Sequence, residues 1–155
     1  MKTSIAQLNL VLAWLWILLG FVTGMVLGMF FHREGWLGGY ASHKRRMYRL
    51  AHISFFGLGA VNLLFCLTAR SVLSSGAMLQ SASQALVVGA VTMPVCCVVM
   101  AHYRKAYLIF AVPVISLILG GALTLALIVH DSKVPGTANT IAVSANSQPT
   151  TPHQP

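Results

Sequence analysis

Three histidines, His32, His52 and His102, are the residues of this chain with the clearest capacity for chemistry. A neutral imidazole ligates haem iron or another transition metal through either ring nitrogen. Met25, Met29 and Met100 add soft thioethers that either ligate or fill space around a macrocycle. Arg49 and Arg104, with Arg46 nearby, carry guanidinium groups suited to haem propionates. The chemistry these types suggest is a haem b site built on His52 with His102 or His32, or another metal on the same three rings. A plainer use competes with it, because imidazole is amphipathic and suits the lipid headgroup region without any cofactor.

The elements that must position these side chains follow from composition. The chain has 155 residues, 57% hydrophobic and 8% charged, with a mean hydropathy of +0.78, whereas a soluble domain carries roughly 25% charged residues. So few charges cannot cover a water-exposed surface of this size, and lipid is the solvent that fits. Apolar runs at about 8–31, 50–68, 82–101 and 106–129 are each long enough to cross a hydrocarbon layer of roughly 30 Å as a helix. The expected fold is therefore all-α, an integral membrane four-helix bundle over 1–131. The first run exceeds the core of a signal peptide and lacks a small-residue cleavage pattern, so it is expected to be retained. Residues 132–155, rich in Pro, Ser, Thr, Asn and Gln, are expected to form a disordered polar tail.

Charge sets the orientation. The stretch 32–52 holds Arg33, Lys44, Arg45, Arg46 and Arg49, and the turn between the third and fourth runs holds Arg104 and Lys105. Lys2, Arg70 and Lys133 lie on the opposite side. The positive-inside rule then makes both basic loops cytoplasmic and both termini outside. In a bacterium this would be the plasma (inner) membrane. The net charge of +8 is matched to anionic headgroups rather than to nucleic acid, since the basic residues sit between apolar runs. Trp36, Tyr40 and Tyr48 are the aromatics expected at headgroup depth, and Ser42 to Leu50 reads as a short amphipathic helical lead-in.

With that topology His32, His52 and His102 all fall at the cytoplasmic boundary. His52 lies about one turn inside the second run and shares a helical face with Phe55, Gly59, Asn62 and Cys66. A polar group there costs energy unless it is paired or used. Gly20, Gly24 and Gly28 recur every four residues, as do Ser116, Gly120 and Thr124. Such small-residue ridges let helix backbones approach closely, within the bundle or between subunits. Pro94 is expected to kink the third helix, with a neighbouring Thr or Ser relieving the lost hydrogen bond, and Pro113 lies near the start of the fourth. Cys66, Cys96 and Cys97 read as small buried hydrophobes.

Glu34 and Asp131 lie at opposite boundaries, which excludes paired-carboxylate catalysis. Phosphate-cradling, dinucleotide-binding, zinc-protease and nucleic-acid motifs are absent from the sequence. Asn62, Gln84, Thr92, Ser116 and Thr124 could line a narrow polar route in a small oligomeric channel or transporter component. The span number and boundary histidines loosely resemble small four-helix membrane subunits that anchor larger redox or transport assemblies. The leading expectation is a non-catalytic subunit or anchor of a membrane complex, associating with itself or with other membrane chains. A haem b electron-transfer subunit comes second and a channel component third.

Overall fold

The computed structural model describes residues 2–72 and 76–132. Apart from Ser132, the tail expected over 132–155 lies outside these residues. Four long helices carry the chain: α1 (Lys2–Phe30), α2 (His43–Ser71), α3 (Ala77–His102) and α4 (Ala111–Ser132). Short 3-10 segments cover Trp36–Gly38 in the first loop and Arg104–Phe110 leading into α4. Each of the four helical stretches is long and apolar enough to cross a membrane, the last counting Arg104–Ser132 as one. The chain is a small all-helical membrane protein.

The second helix begins well before the apolar run that suggested it. Ser42 caps α2, its Oγ accepting the Arg45 N–H at 3.2 Å and donating to the Leu37 carbonyl at 2.6 Å. The basic residues that follow are thus the first turns of the helix itself. The first turn of α2 contains no acidic residue, so Lys44, Arg45 and Arg46 crowd the positive end of the helix dipole. Each such placement costs about 0.3–1 kcal/mol where it is not offset. The loop before the cap is tightly bent, with Leu37 at φ 56°, Gly38 at 85° and Gly39 at 91°. Glycine takes these angles freely, whereas Leu37 does so under strain that the Ser42 bond helps to hold.

The helices pack chiefly in chain order, α1 on α2, α2 on α3 and α3 on α4. Close approach is made by glycines. A Cβ on Gly59 would stand 3.1 Å from the Ala13 carbonyl oxygen of α1. Gly20 receives the Phe56 ring and Gly24 the His52 ring. Between α3 and α4 the exchange is reciprocal: Leu117 lies over Gly89 and Leu86 over Gly120. The third residue of the first ridge, Gly28, has nothing within 4 Å of a Cβ placed on it. In lipid, such backbone approach supplies the van der Waals contact that hydrophobic burial does not.

α1 and α3 run parallel and in register. Asn9 Nδ2 donates to Ser83 Oγ, Trp16 Nε1 donates to the Ala90 carbonyl at 3.0 Å, and both pairs are 74 residues apart. The ends carrying Lys2 and Ser132 therefore lie together, and both basic loops lie at the other end. At the terminal end all four helices converge on one core of Ala6, Phe65, Ala69, Leu79, Ala82 and Leu127, each at most 3% exposed. Cys66, Cys96 and Cys97 are buried free thiols.

The carbonyls four residues before Pro94 and Pro113 are each used by a neighbouring helix. Pro94 has no N–H for the Ala90 carbonyl four residues back, and Trp16 supplies the missing donor. Relief comes from the indole of α1, while the Thr92 hydroxyl bonds to Val88 within its own helix at 2.7 Å. The Ile109 carbonyl, four residues before Pro113, accepts from the Ala111 N–H at the end of the 3-10 segment and also from Cys96 Sγ across 3.5 Å.

Candidate functional site

Beyond the Trp16–Ala90 bond, towards the basic loops, a groove lies between α1, α2 and α3. It encloses about 550 Å³. Thr23 and Val26 of α1, Tyr48, His52 and Phe55 of α2, and Val95 of α3 are among its walls. The walls are apolar apart from a few side-chain polar atoms, whose partners define the site.

His52 hydrogen-bonds through Nδ1 to Thr23 Oγ1 at 3.1 Å. Thr23 already donates its one hydroxyl proton to the Leu19 carbonyl at 2.7 Å, so Nδ1–H of His52 is the donor. The imidazole lone pair therefore belongs to Nε2, beside Gly24 on α1, 3.4 Å from where a Cβ on that glycine would stand. Phe56 meets the ring edge-on at 5.4 Å. This arrangement makes His52 a clamp between α1 and α2: a glycine makes room for the ring and a threonine orients it.

A second cavity of about 540 Å³ lies at the loop end of the same helices. Its lining includes His43 and Lys44 from the start of α2 and His102 and Arg104 from the end of α3 and the turn beyond, with no carboxylate among the lining residues. His43 Nε2–H donates to the Met100 carbonyl at 3.0 Å, tying the start of α2 to the end of α3. His102 Nε2 and the Tyr48 hydroxyl are 3.0 Å apart. Since Tyr48 lines the groove and His102 the second cavity, this pair stands between the two spaces.

The basic side chains divide into two kinds. Arg45 turns inward and is 3% exposed. Its guanidinium donates to the Phe31 carbonyl at 3.0 Å and lies 4.9 Å from the Phe31 ring, 5.9 Å from Trp36 and 5.3 Å from Tyr40. Three aromatic faces and a carbonyl replace the water this charge has lost. Arg45 thus folds the first loop around itself and is not a headgroup contact. Arg49 lies over Tyr40 at 4.6 Å, whereas Lys44, Arg46 and Arg104 are exposed.

The structure brings His52 and His102 to adjoining spaces through Tyr48 and leaves His32 exposed in the turn after α1. Among the described residues no three His, Cys, Asp or Glu side chains gather where they could hold a metal ion. Haem ligation through Nε2 of both rings would require His102 to leave Tyr48 and the His52 ring to turn away from Gly24. Of the polar residues considered for a route, Asn62 is fully buried, Gln84 faces outward, and Thr92 and Thr124 donate to carbonyls of their own helices, each at 2.7 Å. Ser116 is half-buried on α4.

Sequence reasoning passed over Asn9, Ser83, Trp16 and the inward turn of Arg45. Asn9 and Asn62 are both 0% exposed; each amide nitrogen bonds a carbonyl of its own helix, at 3.1 and 2.9 Å. An available signal was the position of Asn9, at the head of the first apolar run and two turns into α1, where an amide needs a partner on another helix. No protein family, curated protein or solved structure matches this chain.

Proposed function

We propose that this protein is a non-catalytic component of the membrane that acts by lateral association, with a second copy of itself as the partner and α1 as the contact helix. One observation carries the reading, namely the composition of the two outer helix faces. α1 and α4 each bury only 17% of their membrane-length window, against 39% and 44% for α2 and α3. The outward side of α4 is aliphatic, with Ile115, Ile118, Leu119 and Leu125 exposed, as lipid contact requires. The outward side of α1 has exposed aliphatics too, Leu8, Val11, Leu15 and Leu18 among them, but adds Trp14, Phe21, Met25 and Met29 to them. An open glycine does not separate the two helices, since Gly28 on α1 and Gly121 on α4 both have nothing within 4 Å of an added Cβ. Aromatic and methionine side chains are the types enriched where protein meets protein, and it is these that set α1 apart.

Helix-linking bonds support a scaffold role. Asn9 with Ser83, Trp16 with Ala90 and Thr23 with His52 spend interior polar groups on joining helices. In this reading the basic loops face the cytoplasm, where anionic headgroups hold them. The test is cysteine crosslinking in native membranes. Phe21→Cys on α1 is expected to give a dimer with a short bis-maleimide, and Ile118→Cys on α4 is not. A Phe21→Cys protein that stays monomeric, or crosslinks no better than Ile118→Cys, would refute α1 association.

A further inference from the structure

We propose that the apolar groove and the cationic cavity together bind one anionic phospholipid, its phosphate among Lys44, His43, His102 and Arg104 and one acyl chain along the groove. The proposal does not depend on association through α1.

Helical spacing places the two spaces end to end along the same helix faces. On α2, Lys44, Tyr48, Ala51 and Phe55 follow one another at intervals of four, three and four residues, which is one face of a helix. Lys44 lines the cationic cavity and the other three line the groove. On α3, Val91, Val95, Val98 and His102 repeat the same spacing, with the valines in the groove and His102 in the cavity. Two parallel walls thus run from charged residues at the loop end to apolar residues deeper in the bundle. The Tyr48–His102 hydrogen bond lies at the change of polarity. A phospholipid has the same order of chemistry along the same direction, anion outermost and hydrocarbon within. From Tyr48 to Phe55 the groove follows α2 for roughly 10 Å, enough for the upper part of an acyl chain whose remainder continues into the bilayer.

Charge selects an anionic headgroup. Lys44 is exposed at the start of α2, in a first turn without an acidic residue. The helix dipole adds positive potential there, and no carboxylate lines the cavity to offset it. An arrangement that is unfavourable for helix stability alone becomes favourable once a phosphate is seated, through charge-assisted hydrogen bonds from Lys44 and Arg104. A soluble anion would use the cavity but leave the groove empty, whereas a phospholipid uses both.

Trp16 lines the groove and reports on its contents. The chain has three tryptophans, so the full-length Trp14→Phe/Trp36→Phe variant leaves Trp16 as the single fluorophore. It is reconstituted in vesicles of phosphatidylglycerol and phosphatidylcholine at one fixed composition, with brominated acyl chains on one lipid or the other. Quenching is expected to be stronger when the bromine is on phosphatidylglycerol. Adding Lys44→Gln/Arg104→Gln should reduce that preference, by about fivefold for each charge at about 1 kcal/mol per basic residue near an anionic surface. Arg33→Gln/Arg46→Gln removes the same charge from exposed positions outside the cavity and should leave the preference in place. Equal quenching by the two lipids, or equal losses in the two double variants, would overturn the site in favour of general surface charge. Val95→Phe, which fills the groove from an exposed position, should lower quenching by both lipids with helical circular dichroism retained. Unchanged quenching there would overturn the placement of the acyl chain.

Discussion

The two ends of this bundle are built from the same four helices and pack in opposite ways. At the terminal end Ala6, Ala69 and Ala82 let four backbones converge, and Phe65, Leu79 and Leu127 fill what space is left. At the loop end Tyr48, His52 and Phe55 stand between α1 and α3, and the space they hold open becomes the groove. Both ends have apolar walls, so hydrophobicity does not distinguish them. What differs is side-chain size on the facing positions, together with the place where cross-helix hydrogen bonds stop. Asn9–Ser83 and Trp16–Ala90 join α1 to α3 as far as Ala90, and among the described residues the groove lies between these helices beyond it.

This contrast can be broken from either side. The largest effect is expected for Gly59→Leu, because its Cβ would meet the Ala13 carbonyl, a backbone atom that cannot turn aside. Overpacking of this kind costs about 3 kcal/mol, and unfolding in mixed detergent micelles should show it as a loss of stability with α1 released from α2. A smaller loss is expected for Trp16→Phe, which keeps an aromatic ring and leaves the Ala90 carbonyl without its donor. A buried acceptor left unsatisfied costs about 1–3 kcal/mol. Combining this change with Pro94→Ala, which restores the N–H within α3, should recover part of the loss, and no recovery would mean that the indole bond is not the compensation described. The smallest effect is expected at Gly28→Leu, where an added Cβ meets nothing within 4 Å outside its own helix backbone. The same detergent assay should register a change within about 0.5 kcal/mol, while the Phe21→Cys dimer should weaken if α1 is the contact helix.

The loop end also shows how a charge pattern can be read correctly in sum and differently in detail. Arg45 and Lys44 are neighbours in sequence and identical for a topology count. In the fold Lys44 opens to the cationic cavity, whereas Arg45 is enclosed by Phe31, Trp36 and Tyr40. The helix rotates by about 100° per residue, so adjacent side chains meet different surroundings. A sequence read without its neighbours in space cannot assign those surroundings.

Composition and spacing alone determined that this chain is a set of four membrane-length helices with its basic loops at one end. Lipid has no hydrogen bonds to offer, so long apolar runs have few structures open to them. The glycine ridges likewise marked Gly20, Gly24 and Gly120 as candidates for helix contact, because a missing side chain is visible before folding. Tertiary structure alone decided which carbonyl Trp16 would satisfy, that Arg45 would turn inward, and that the loop end would stay open between α1 and α3. Those outcomes depend on the rotation and register of whole helices against one another, and a shift of one residue would send the same side chains to other partners.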